Sequence, residues 1–163
     1  GKHMLNIPIK HVGGKEGRQK YVDVSMENGY NWKKEHWRTL ETAYRTSPFF
    51  EFYEDELRPL YEGSDHNLLD FNLKTMKTIA DCMGIQIPTE QTNRYEVAPD
   101  SLLDARFLVN AKKEKNWKMN SYPQVFEERH GFITNLSVLD LLFNEGTNAL
   151  TYLKSLSLDL KHA

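Results

Sequence analysis

The sequence predicts an α+β fold, mostly helical, with an N-terminal β-hairpin or small antiparallel sheet packed on about five helices. Three observations carry that prediction. Apolar residues recur three and four apart over several long windows, Leu5, Ile7 and Ile9 alternate with polar residues at the start, and glycine or proline closes most of the periodic windows. At 163 residues the chain can bury one proper hydrophobic core, so residues 1–163 are read as a single domain.

The alternation over residues 5–10 is the period of a half-buried strand. A Gly-rich, charged connection over 12–18 leads to Tyr21, Val22 and Val24, which make a second strand over 20–25 and complete a hairpin with a long loop. An isolated hairpin is marginal in water, so this one must pack on helices or on further strands. Because the first strand has almost no lead-in, the expectation is that an upstream segment pairs with it.

Helices follow. Over 31–44, with Asn31 or Asn28 as the cap and Ser47-Pro48 as the stop, Trp32, His36, Thr39 and Ala43 share one stripe and Trp37, Leu40 and Tyr44 the next. Lys33, Lys34 and Arg38 are expected in solvent, although Arg38 can hold a carboxylate or phosphate if it faces a cleft. A second helix over 49–57 buries Phe50, Tyr53 and Leu57 and breaks at Arg58-Pro59, where an amide is lost. A third, over 67–83, buries Leu69, Leu73, Met76, Ala80 and Met83 and stops at Gly84.

Residues 85–97 read as a short strand or extended segment. Asp104 and Arg106 form an internal ion pair, a substrate clamp or an ordinary solvated pair. Lys112, Lys113, Lys115 and Lys118 around Trp117 read as an exposed basic loop, and residues 150–160 as a last helix that frays near Lys161.

The most specific stretch is YPQVFEERHGFITNLSVLDLLFNEG, residues 122–146. Ser137 and Asp140 pair as a helix cap, and Gly146 suits the left-handed position past the helix end. Between them Val138, Leu139, Leu141, Leu142 and Phe143 leave Asp140 and Asn144 as the only polar stripe of a buried helix. Two readings stay open. Either both residues merely cap the helix, or the stripe faces a pocket together with His130 and Gln124 from the preceding turn. A carboxylate near an imidazole can orient a general base or hold a substrate hydroxyl.

Composition narrows the function classes. The net charge of −2 and a pI near 6.3 argue against a nucleic-acid binder. No apolar run approaches the roughly eighteen residues of a membrane span, and the first residues lack the order of a signal peptide. One cysteine, Cys82, excludes an internal disulfide or multi-thiolate zinc site, and none of the six histidines pairs with another at helical spacing. The expectation is a cytoplasmic protein with no metal site; the sequence names no cofactor and no oligomeric state.

Two stretches carry a family resemblance: NWKKEHWRTLETAYRTSPFFEFYEDELRPLYE, residues 31–62, and residues 122–146 quoted above. With their spacing and the segment LNIPIKH, the chain resembles the WbqC-like protein family, associated with bacterial O-antigen gene clusters. The resemblance implies that a region preceding Leu5 in other members is missing here. It also implies a role in surface-polysaccharide biosynthesis, as a transferase moving a glycyl or other acyl group to an amino sugar. His130 is then the general base and Asp140 its orienting partner. Gln124, Asn135 and Asn144 bind substrate, with Trp32, His36 and Arg38 across from them, and the partner is a sugar or nucleotide sugar. The competing class is a non-catalytic sugar-binding or scaffold module whose polar signature closes its own hydrogen bonds.

Overall fold

A computed structural model describes residues 1–11, 19–99, 103–109 and 118–157. Six α-helices organise them: α1 (Trp32–Tyr44), α2 (Phe50–Glu62), α3 (Leu68–Cys82), α4 (Glu127–His130), α5 (Val138–Glu145) and α6 (Ala149–Ser155). The glycine-rich connection at 12–18, Lys112, Lys113, Lys115 and Trp117, and the fraying end near Lys161 lie outside the described residues.

The hub is α2, which packs on α1, α3 and α5. Its buried residues Phe50, Tyr53, Leu57 and Leu60 recur at three and four, so one face is apolar along its whole length. Phe50 and Leu57 meet the fully buried Phe143 and Leu142 of α5 in one core cluster that also holds Met26, Trp32, Trp37 and Leu40. The Phe49 amide donates to the Phe143 carbonyl at 3.0 Å and fixes the start of α2 against α5.

The α+β expectation is corrected: among the described residues there is no β-strand, and the fold is helical. What remains of the hairpin is two isolated antiparallel bridges, Ile9 with Met26 and Ser25 with Asn67. The Lys10 amide donates to the Ser25 carbonyl and the Glu27 amide to the Pro8 carbonyl, each at 2.9 Å, while the Met26 amide turns the other way to His66 at 2.7 Å. Pro8 has no amide to extend the ladder, and Tyr21–Asp23 coils into a 3-10 turn instead of running on as a strand. Burial of Met26, rather than a sheet, holds the segment down. Residues 85–97 likewise form no strand.

Proline does not end α2. The helix runs through Pro59 to Glu62, and the Gly63 amide donates back to the Pro59 carbonyl at 3.2 Å. Pro59 and Asp55 are both exposed, so the carbonyl left without an amide partner faces solvent. The expected buried face of α3 is only partly covered. Ala80 is buried as expected and Met83 packs against the core, whereas Leu73 and Met76 stay 40% and 47% exposed and Phe71, off that stripe, is buried instead.

Lys33, expected in solvent, is half-buried beside Trp32 and Phe71 and donates to the Gly63 carbonyl at 2.6 Å. Asp104 and Arg106 form an exposed pair at 2.6 Å, the bland alternative for that segment.

Candidate functional site

The helix α5 and the turn before it supply the polar side chains. Ser137 is the N-cap, its hydroxyl accepting from the Leu139 amide at 3.3 Å, and Gly146 ends the helix at φ +55°. That frame sets Asp140 in the first turn, 3% exposed, with its carboxylate turned inward. The Tyr122 hydroxyl donates to Asp140 Oδ2 at 2.7 Å and Gln124 Nε2 to the same oxygen at 3.1 Å.

Gln124 is held in turn by the chain beyond it. Its Nε2 donates to the Ile133 carbonyl at 3.0 Å and its Oε1 accepts the Ile133 amide at 2.8 Å. Both ends of the amide are fixed, which pins the turn carrying His130. Burial pushes the Tyr122 phenol well above its ordinary range, and the hydrogen bond to Asp140 pushes it further. Tyr44 on α1 behaves alike: burial first, then the charge and hydrogen bonding of Asp140, raise its phenol.

A cavity of about 470 Å³ opens beside this network. Trp32, His36 and Tyr44 of α1 line it together with Gln124, His130 and Asp140. His36 is buried, its Nε2 lies 3.1 Å from the Asn6 carbonyl, and its ring stands edge-on to Trp32 at 5.1 Å. A carbonyl only accepts, so Nε2 carries the proton; burial holds the imidazole below its ordinary pKa. From α3, Thr75 adds a hydroxyl that is buried without a hydrogen-bond partner among the described residues.

Not every expected residue meets there. Asn144 donates to the Asp140 backbone carbonyl at 2.7 Å, a bond within the helix, and is off the cavity lining. Asn135, at φ +55°, lines a neighbouring cavity of about 340 Å³ that shares Leu136 and Ser137 with the first. Arg38 is exposed and off the lining. His130 is exposed on the lining, and no side-chain hydrogen bond joins it to Asp140.

Sequence reasoning left Tyr44 and Tyr122 without a role. The signal for Tyr44 was present: His36, Leu40 and Tyr44 are successive fours on one helix face. Tyr122 had no such mark, because its pairing with Asp140 spans eighteen residues.

Among the described residues no group of three or more His, Cys, Asp or Glu could hold a metal ion, and no helix is long and apolar enough to cross a membrane.

A helical domain with a polar-floored, aromatic-walled cavity is the class these features define. Residues 1–118 match the WbqC-like protein family, and the chain belongs to it. The match includes α1, α2 and α3 and stops short of residues 122–146. An uncharacterized protein of Mycobacterium tuberculosis, Rv1507c, is 26% identical over 180 residues, an alignment covering 94% of this chain and 77% of that protein. No solved structure matches the chain.

Proposed function

We propose that this WbqC-like protein is a transferase of bacterial surface-polysaccharide (O-antigen-like) synthesis that moves a glycyl or other acyl group onto the amine of an amino sugar. The observation that carries this reading is the meeting of Trp32, His36, Gln124, His130 and Asp140 on one cavity of about 470 Å³. Aromatic faces beside amide and carboxylate groups suit a sugar ring, whose C–H faces are apolar and whose edge is polar. The orphaned Thr75 hydroxyl gives a ligand one further hydrogen bond to complete.

His130 is the candidate general base. The acceptor amine attacks the acyl carbonyl of an activated ester or thioester, and His130 takes the amine proton as the C–N bond forms. The bond to the leaving group then breaks, the leaving group keeps the electron pair, and His130 returns the proton to it. Asp140 serves as floor rather than as the direct partner of His130, since its hydrogen bonds run to Tyr122, Gln124 and Tyr44.

A second reading, a sugar-binding module without catalysis, is favoured by that same saturation of Asp140 Oδ2. Incubation with nucleotide-amino-sugars and activated acyl donors, followed by mass analysis, separates the two. Transfer predicts an N-acylated sugar in the wild type and none in a folded His130→Ala protein that still binds. Sugar binding with no acylated product would leave the module.

A further inference from the structure

Asp140 is 3% exposed and yet borders the cavity. Its partners are all neutral: the Tyr122 hydroxyl and the Gln124 amide on Oδ2, with the Tyr44 phenol beside it. None of the ion pairs among the described residues includes it. The lysine on the lining, Lys2, sits on the exposed N-terminal segment.

A carboxylate taken out of water is costly unless a cation or a full set of donors replaces its hydration. Tyr122 and Gln124 both bond Oδ2 and the Tyr44 phenol adds a third donor, so a carboxylate with about four lone-pair sites still has acceptor capacity. The rings of Trp32, Tyr44, Tyr61 and Phe71 line the same cavity, and aromatic faces attract cations.

We infer that the cavity selects a primary ammonium group, held by Asp140 and the surrounding rings, over its neutral N-acylated counterpart. The inference rests on the amino-sugar transferase reading and names the group that enters the site. Two reactants of that chemistry carry such a group, the amino sugar and an aminoacyl donor. An N-acetylated group has lost both the charge and two of its donors, and cannot replace it.

The test is calorimetric titration of the protein near pH 6 with 2-amino-2-deoxyglucose and with glycinamide, each against its N-acetyl form. In at least one pair the amine should bind about tenfold more tightly, and that pair identifies the source of the ammonium. Asp140→Asn keeps the shape and one acceptor oxygen, and should reduce the preference to less than about twofold. A wild-type titration near pH 9, above the ordinary amine range of about 7.7–8.0, should reduce it equally without any substitution. Equal binding within both pairs, no amine binding at all, or a preference that survives at pH 9 or in folded Asp140→Asn overturns the inference. Amine-selective binding without acylated product would sink the transferase reading alone. Acylated product without amine selectivity would sink this inference alone.

Discussion

At the scale of single residues, Asp140 and Gly146 show how one short helix is tied to everything around it. A Cβ added to Gly146 would come within 2.6 Å of the Phe49 ring, and the backbone there sits at φ +55° and ψ −123°. Gly146→Ala therefore meets both a clash and a conformation that L-residues rarely adopt. A loss of about 2–4 kcal/mol in denaturant-unfolding stability is expected, most of it from strain and displacement of Phe49. Asp140 was legible as a candidate because it interrupts an apolar run, and a capping role competed with that reading. The structure gives the N-cap bond to Ser137 and turns the carboxylate inward, a distinction that needs Tyr122 and Gln124 in place.

At the scale of elements, helices with a cap and a period were legible and the rest was not. Asn67 caps α3 by accepting from the Asp70 amide at 3.1 Å, and Ser137 caps α5, as their side chains promise. The alternation of Leu5, Ile7 and Ile9 looked like a strand, but period two describes any extended segment with one buried side, whether or not a ladder forms. On α3, Leu69, Leu73, Met76 and Ala80 fit one helical stripe, yet Ala80 alone of them is buried, and Phe71, on another side of the helix, is buried against Trp32. The placement of α1 and α2, which the local pattern does not carry, decides how much of each side is covered.

Pro59 misled for a related reason. The rule against interior proline concerns a buried or paired carbonyl, and here the affected turn faces solvent. Pro59→Ala should accordingly leave the α2 fold intact and raise its stability by about 1–3 kcal/mol, read as an upward shift of the denaturation midpoint. A loss of stability would mean that the proline ring itself is packed.

The same element shows that an acidic run need not be a featureless solvated face. Glu54 lies between Arg45, at 2.7 Å, and Arg58, and the two guanidiniums in turn lie over the Phe50 and Trp37 rings at 4.8 Å and 5.0 Å. The bond to Arg45 lowers the Glu54 carboxyl below its ordinary value.

At the scale of the whole molecule, these groups give stability a two-step dependence on acid. His36 is held below its ordinary 6.5 by burial, so the unfolded chain binds its proton first. Its contribution is complete above about pH 6.5 and declines as the pH falls from there toward the folded value. Glu54, lowered chiefly by Arg45, adds stability that is complete above its ordinary 4.5 and is lost as the pH falls further through its folded value. Urea midpoints taken between pH 7.5 and pH 3 should fall in both windows, and His36→Gln should flatten the first while leaving the second. A flat profile across the upper window would contradict the buried, neutral imidazole.

The functional claim belongs to this scale as well, since the cavity forms where the N-terminal segment, α1, α2, α3 and the 122–146 stretch come together. A titration with a nucleotide-amino-sugar, followed by amide, indole and imidazole NMR signals, tests it most directly. The Trp32 indole, bonded to Asn28 at 3.3 Å, and the His36 and His130 rings should move together and saturate at one midpoint. The Trp37 indole, packed off the cavity against Phe50 and Tyr61, should stay still. Shifts confined to other surfaces, or none at saturating ligand, would contradict the cavity as a sugar site.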